Sequence, residues 1–215
     1  MKVGDFSRGG QARGAEALRA FDPGMGSEAV LVPFGVLELN RGVVPIHQPW
    51  FLFEHSRERS DFLADGLDLW WSERRSTHVG VQRLPIESDN GPEIGSSRTQ
   101  FLTRLVEFAD RHRVTVELAY LPPYHSKSNP VERCRGILER HWNGAVLSTV
   151  ADVLRWAGSM TWRGLHPLVR ETKVVYERGV RLTTVACRPI AERLARSATL
   201  PKWSVVIKPA AASVE

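Results

Sequence analysis

Glu132 is the first residue whose type and position suggest chemistry. It follows the polar segment PPYHSKSN, which carries His125 and Lys127. Asn129 is a favourable N-cap and Pro130 a favourable first residue, so a helix is predicted to begin at Pro130. A carboxylate on that rigid first turn, beside positive charge, could bind a metal ion that faces a phosphate. The same position is typical of a capping box, and the spacing alone favours the cap.

Asp89 is the candidate second carboxylate. It begins the sequence DNGPE, directly after residues 80–88, which predict a short strand. Taken alone, Asp-Asn-Gly is more typical of a structural turn. Two carboxylates with a basic surround would suit Mg²⁺, which binds few carboxylates together with substrate phosphate. Two such ions, about 4 Å apart, can stabilise the attacking and leaving oxygens of a displacement at phosphorus.

The elements that must position these acids follow from hydrophobic periodicity. In chain order we predict strands over 29–39 and 46–53, a helix over 60–75, a strand over 80–88, a helix over about 96–113, a strand over 114–121 and a helix from 130. This order predicts a mixed α/β layer, in which ligand sites gather at the carboxyl ends of strands. Asp89 ends one strand and Glu132 begins the helix after the next. The two acids are therefore expected to face each other across one end of the sheet.

Several finer features are also predicted. Ser60, and either Ser96 or Ser97, are expected to cap their helices. Cys134 lies on the apolar face of its helix and is expected to be a small core residue. After residue 144 we expect a helix over 146–160, shorter helices over 161–202 and a last strand over 203–207.

Composition and charge narrow the class of protein. The 215 residues are 42% hydrophobic and 25% charged, which is typical of a globular domain, and no apolar run approaches the length of a membrane span. The N-terminus lacks the apolar core of a signal peptide, so a cytoplasmic protein is expected. The net charge of +5 is uneven: residues 133–215 hold 14 Lys or Arg against 6 Asp or Glu. This excess fits a nucleic-acid partner.

Three segments closely resemble the Rhodopirellula-type DDE transposase family: IESDNGPE, SSRTQFLTRLVEFADRH and YLPPYHSKSNPVERCRGILERHWNG. The similarity extends to SRGG near the start and to MTWRGLHP and LPKW further on. The resemblance implies an RNase H-like fold, similar to that of retroviral integrases, in which three acids hold two Mg²⁺ (or Mn²⁺) ions. It also implies an insertion-sequence enzyme that hydrolyses a phosphodiester at the element's end and joins the freed 3′-hydroxyl to target DNA. Homo-oligomers acting on paired transposon ends are typical of such enzymes.

Within this resemblance, Asp89 matches the second acid and Glu132 the third, and both become expected catalytic residues and metal ligands. His125 and Lys127 would lie beside the scissile phosphate, and Arg133 and Arg135 would contact the DNA backbone. The predicted site residues are therefore Asp89, Glu132, His125, Lys127, Arg133 and Arg135.

The resemblance is incomplete at the start of the chain. The first acid of the family lies on a central first strand, and here Met1 stands where that strand should end. Asp5 is the nearest acid, and the sequence predicts that it falls past the strand, in a loop. We therefore expect residues 1–144 to form an RNase H-like catalytic domain lacking its first strand. Residues 145–215 would form a mainly helical, basic C-terminal extension.

Three functions remain open at this point. The leading one is the catalytic region of a DNA transposase, truncated and inactive by itself. The second is a non-catalytic DNA-binding remnant that modulates an intact transposase, as the basic C-terminal part suggests. The third is a general RNase H-like nuclease acting on other nucleic acids.

Overall fold

The computed structural model describes residues 2–7, 29–39, 48–55, 59–122, 129–177 and 184–211. His125 and Lys127 lie outside these ranges. The chain forms two compact units, which we call unit 1 and unit 2. Unit 1 comprises Met1–Glu58 and Pro130–Val175, and unit 2 comprises Arg59–Asn129 and Tyr176–Glu215. The predicted boundary at residue 144 falls inside unit 1, and the residues after it contribute to both units.

Strands and helices alternate from β4 to β9, after three initial strands, which confirms the mixed α/β class. The strands are β1 (Lys2–Ser7), β2 (Ala29–Val30), β3 (Val32–Leu37), β4 (Pro49–Glu54), β5 (Arg83–Ser88), β6 (Thr115–Tyr120), β7 (Val146–Leu147), β8 (Leu168–Thr172), β9 (Leu194–Arg196) and β10 (Ser204–Ile207). The helices are α1 (Ser60–Arg74), α2 (Thr99–His112), α3 (Pro130–His141), α4 (Val150–Ser159) and α5 (Thr184–Glu192). The architecture is consistent with an RNase H-like domain. Within the described ranges, no helix is both long and apolar enough to cross a membrane.

Unit 1 contains a three-stranded sheet with the order β3-β4-β8. Strands β3 and β4 are antiparallel, as predicted, and β8 runs parallel to β4. Pro33 lies on the edge strand β3, where one missing backbone donor is tolerated. Strand β4 is buried at every position, and its Phe51 and Phe53 join the core that α3 and α4 cover.

Strand β1 is the middle strand of a second sheet in unit 1, with the order β2-β1-β7. Its register pairs Lys2 with Val30 on one side and Gly4 with Leu147 on the other. Asp5 therefore lies within a strand, and the prediction that it falls in a loop is wrong. The strand partners lie far along the chain, so the local sequence, with Gly4 at its centre, gave only a weak strand signal.

Unit 2 contains a four-stranded sheet with the order β5-β6-β10-β9. Strands β5 and β6 are parallel, and β10 is antiparallel to both of its neighbours. Helices α1 and α2 contribute buried apolar side chains, and Trp70 and Trp71 are 5% and 2% exposed. The parallel pair matters for the site, because the carboxyl ends of β5 and β6 lie at the same edge of the sheet.

The predicted caps of α1 and α2 are wrong. Ser60 is the first residue of α1 rather than its cap, and the cap position is held by Arg59, without a side-chain hydrogen bond. Helix α2 is preceded by Arg98, so neither Ser96 nor Ser97 caps it. Ser60 instead binds Glu93, 33 residues downstream, which local sequence rules cannot anticipate, and the Ser96 amide donates to Asn90 within the same turn.

The prediction for the last part of the chain is correct only in places. Residues 146–147 form a strand, and the helix expected from residue 146 begins at Val150. The short helices expected over 161–202 are wrong for Leu168–Thr172 and Leu194–Arg196, which are strands. The last strand is confirmed as β10.

Candidate active site

Asp89 directly follows β5, at the carboxyl end of the parallel pair. The register of the pair ends with Ser88 beside Tyr120, and the Leu121 amide then donates a hydrogen bond to the Ser88 carbonyl at 2.8 Å. The backbone that delivers Asp89 is thus fixed by sheet pairing up to the preceding residue. Asp89 itself is exposed to solvent.

The turn after Asp89 is closed by its own hydrogen bonds. The Gly95 amide donates to the Gly91 carbonyl at 2.8 Å, and the Ser96 amide donates to Oδ1 of Asn90 at 2.9 Å. From β6, the Tyr120 hydroxyl donates to the Ile94 carbonyl at 3.0 Å. Burial raises the pKa of Tyr120 well above its ordinary value, so this donor keeps its proton at all ordinary pH values.

Asp89 is left open by this arrangement. A methyl group added at Gly91 would lie 3.7 Å from each of the two Asp89 carboxylate oxygens. The small residue therefore leaves clear space beside the carboxylate. Among the residues the structure describes, none donates a hydrogen bond to the Asp89 side chain or forms an ion pair with it.

Glu93, the other acid of the DNGPE turn, faces the protein instead. Its Oε2 accepts hydrogen bonds from the Ser60 amide at 3.2 Å, from the Ser60 hydroxyl at 2.8 Å and from Nη2 of Arg98 at 3.0 Å. Sequence reasoning missed this residue, since Ser60 is 33 positions upstream. The turn thus carries two acids in contrasting environments.

Glu132 lies in the first turn of α3, which begins at Pro130 as predicted. Its side chain is 41% exposed, and its Oε1 accepts a hydrogen bond from Nη1 of Arg135 at 3.0 Å. Arg135 was predicted to contact DNA, and here it pairs with the neighbouring acid. Arg133, the other predicted DNA contact on this helix, is exposed.

The buried apolar face of α3 anchors the helix. Cys134 and Leu138 are buried, as the periodicity predicts, and pack in the core of unit 1. Burial raises the pKa of the Cys134 thiol to about 12. Near the start of α3, Val131 approaches β3 so closely that a methyl group at Gly35 would lie 3.4 Å from it. The helix that carries Glu132 is therefore held rigidly against the sheet.

The two acids have the chemistry that a divalent metal requires. Carboxylate oxygens are hard ligands of the kind that Mg²⁺ and Mn²⁺ prefer. Asp89 presents both oxygens, and Oε2 of Glu132 lies outside the ion pair with Arg135. No cluster of three or more His, Cys, Asp or Glu side chains suited to a metal ion occurs within the described ranges.

A family model described as the Rhodopirellula transposase DDE domain matches residues 1–209. The chain belongs to this transposase family. The matched range includes Asp89 in its exposed turn and Glu132 on its anchored helix. No curated protein and no solved structure matches the chain. DDE transposases act on DNA and use divalent metal ions, so this family relationship gives the two acids a chemical context.

Proposed function

We propose that the chain catalyses metal-dependent DNA strand transfer, with Asp89 and Glu132 as two of its metal-binding carboxylates. The expectation that the chain is inactive by itself rested on a missing first acid, for which Asp5 on β1 is now a candidate. In the first step, water would attack the phosphodiester at the element's end, and the bond from phosphorus to the 3′-oxygen would break. The released 3′-hydroxyl would then attack a target phosphodiester in the same way. Bound Mg²⁺ or Mn²⁺ supplies activation of the attacking oxygen and neutralises charge on the leaving oxygen.

The contrast within the DNGPE turn carries this proposal. Asn90 and Glu93 both accept hydrogen bonds from protein donors, whereas Asp89 remains exposed with both oxygens unengaged by the described residues. An Asp that served only to form the turn would be expected to accept backbone hydrogen bonds locally, as Asn90 does. An exposed carboxylate on a fixed backbone supports a role as a ligand.

Asp5 is our candidate for the remaining carboxylate. The family expectation is an acid on a central first strand, and Asp5 lies on β1, the middle strand of the sheet β2-β1-β7. The strand pairs with β2 at Lys2 and Val3 and with β7 at Gly4 and Ser7, and Asp5 lies in the irregular stretch between Gly4 and Ser7. The paired residues on either side of Asp5 support its backbone, as a metal ligand needs. The proposal is that Asp5 completes the acidic set.

The roles proposed for the basic residues are electrostatic. Arg133 is exposed beside Glu132, and the side chain of Arg135 is 43% exposed although it pairs with Glu132. Both would bind phosphate oxygens of DNA, which arginine contacts with paired donors. His125 and Lys127, from the segment before α3, are proposed to lie beside the scissile phosphate.

The test is cleavage of labelled duplexes taken from the DNA that flanks the gene, with Mg²⁺ or Mn²⁺. We expect Asp89→Asn and Glu132→Gln each to reduce the cleavage rate by at least about a hundredfold, since each removes a negative ligand. Asp5→Asn should do the same. Glu87→Gln and Glu139→Gln are matched controls, because both acids are exposed and lie on the same elements, β5 and α3. Their rates should match that of the wild type.

Three results would contradict parts of this proposal. DNA binding that persists in Glu132→Gln, with no cleavage by any variant including the wild type, would favour a non-catalytic DNA-binding protein. Cleavage of RNA–DNA hybrids without preference for element ends would favour a general nuclease. Full activity of Asp89→Asn would remove Asp89 from the site.

A further inference from the structure

Glu93 joins three elements of unit 2 at one carboxylate. It belongs to the turn that follows β5, it binds the first residue of α1 through Ser60, and it binds Arg98, which directly precedes α2. Ser60 is only 2% exposed, and the Glu93 side chain is 25% exposed. The junction is therefore largely shielded from water, which strengthens its charged hydrogen bonds.

The contacts within this junction form a closed set. The Ser60 hydroxyl lies 2.8 Å from both the carbonyl oxygen and Oε2 of Glu93, and it accepts a hydrogen bond from Nε of Arg98 at 3.0 Å. Nη2 of the same arginine donates to Oε2 of Glu93 at 3.0 Å. Both the backbone and the side chain of Glu93 are thereby held by residues outside the turn.

We propose that Glu93 is a positioning residue that fixes the direction of Asp89, rather than a metal ligand. An amide, a hydroxyl and a guanidinium converge on its Oε2 atom and hold the carboxylate towards Ser60 and Arg98. Glu93 lies between Gly91 and Gly95, whose backbone hydrogen bond closes the turn. Anchoring Glu93 therefore anchors that bond, and with it the backbone that carries Asp89. This inference rests on the proposed function of Asp89.

The turn itself is tightly packed. A methyl group at Gly95 would lie 2.7 Å from both Oδ1 of Asn90 and the Gly91 carbonyl oxygen. The turn is thus packed against its own polar atoms, and a small displacement at Glu93 would disturb these contacts. Asp89 lies at the other end of the same packed segment.

The test uses the full chain labelled with ¹⁵N, and it measures amide exchange and Mn²⁺ binding without DNA. In Glu93→Ala, we expect the Gly95 and Ser96 amides to exchange about tenfold faster, since charged hydrogen bonds are lost. Mn²⁺ affinity should fall about fivefold or more, as a misdirected ligand binds less well. Glu93→Gln keeps an acceptor for Ser60 and should restore most of both values.

A second variant guards against misfolding. Arg98→Gln leaves the contact of Glu93 with Ser60 in place but removes the guanidinium, so α1 keeps its N-terminal acceptor. Faster exchange at Gly95 and Ser96 in this variant would support the inference. If both variants leave these two amides unchanged and only the Ser60 amide exchanges faster, Glu93 merely caps α1, and the inference is overturned.

Asp89→Asn separates this inference from the proposed function. If that variant binds Mn²⁺ as well as the wild type, the role proposed for Asp89 fails, whatever Glu93 does. If it loses Mn²⁺ while Glu93→Ala keeps both affinity and amide protection, Asp89 is a ligand that Glu93 does not position. Amide exchange and Mn²⁺ affinity together therefore show which of the two proposals has failed, the role of Asp89 as a ligand or the role of Glu93 in positioning it.

Discussion

Nη1 of Arg135 lies 3.0 Å from Oε1 of Glu132, one turn apart on the same face of α3. The two side chains are 43% and 41% exposed, so water screens much of their attraction. Exposed pairs of this kind contribute only about 0.2–1 kcal/mol to stability. A phosphate or a metal ion could therefore separate them at small cost.

The first prediction follows from this weak pair. Arg135→Gln should change the free energy of unfolding by less than about 0.5 kcal/mol, because an exposed pair is lost. DNA affinity should fall, and the slope of log K against log salt should decrease by about one, if the guanidinium contacts a phosphate. Urea denaturation and DNA binding across a salt series measure the two effects.

Arg155→Gln is the matched control for Arg135. Arg155 also pairs with an acid three residues before it in a helix of unit 1, here Asp152 in α4. Its loss should have an equally small effect on stability and should leave the salt slope unchanged. An equal decrease of the slope in both variants would show general charge attraction instead of a specific contact.

The second prediction compares two glycines. Gly95→Ala should destabilise the protein by about 1–3 kcal/mol, since its methyl group would overlap polar atoms of the turn. Gly136→Ala should be neutral or stabilise by up to about 1 kcal/mol, because Gly136 is helical and nothing lies within 4 Å of the added group. Chemical denaturation of both variants measures these changes in the free energy of unfolding. A Gly95→Ala variant as stable as the wild type would show that the turn can relax.

The third prediction concerns the two cysteine thiols. Burial raises the pKa of Cys134 to about 12, so its thiolate fraction at pH 8 is on the order of a thousandfold below that of a thiol with the ordinary value. In a Cys187→Ala variant, iodoacetamide should leave Cys134 unmodified until the protein is unfolded. Cys187 is half-buried, so in a Cys134→Ala variant it should react with iodoacetamide while the protein is still folded. Rapid alkylation of native Cys134 would contradict its place in the core.

The fourth prediction is a dependence of stability on pH. Hydrogen bonds from Arg193 to Asp110, at 2.7 and 3.2 Å, lower the pKa of this carboxyl, and the Ala210 amide adds a third at 2.6 Å. A lowered pKa in the folded state stabilises above the unfolded value of about 3.9. That stabilisation is lost as the pH falls through the lower folded pKa.

Asp110→Asn should therefore destabilise the protein at pH 7, and its difference from the wild type should shrink as the pH falls below about 4. Urea denaturation at pH 7 and pH 3 measures this difference. A difference for Asp110→Asn that is constant with pH would exclude the ionic contribution.

The order of elements from β3 to α3 could be predicted because each carries its own hydrophobic period. The start of α3 at Pro130 and the burial of Cys134 and Leu138 follow from local rules in the same way. Strands β1 and β8 escaped prediction, since each is defined by a partner strand distant in sequence. Leu168, for example, pairs with Trp50.

The candidate site also contains residues that local sequence motifs indicate and one residue that they do not. Asp89 and Glu132 were predicted through sequence motifs, and their roles as site residues stay predictions. Glu93 could not be found, because its partner Ser60 lies on another element and Ser60 itself was taken for a cap. A polar residue that accepts hydrogen bonds from a distant segment leaves no periodic signal in its own segment.

The position of β10 affects how unit 2 folds during synthesis. This strand spans Ser204–Ile207, yet it lies between β6 and β9 inside the sheet of unit 2. During synthesis, one edge of β6 keeps unpaired backbone N–H and C=O groups until residues 204–207 have emerged, which favours wrong pairing and aggregation. A nonsense codon before the codon for Ser204 would remove β10 and its pairing with both β6 and β9, although every predicted site residue had already been translated.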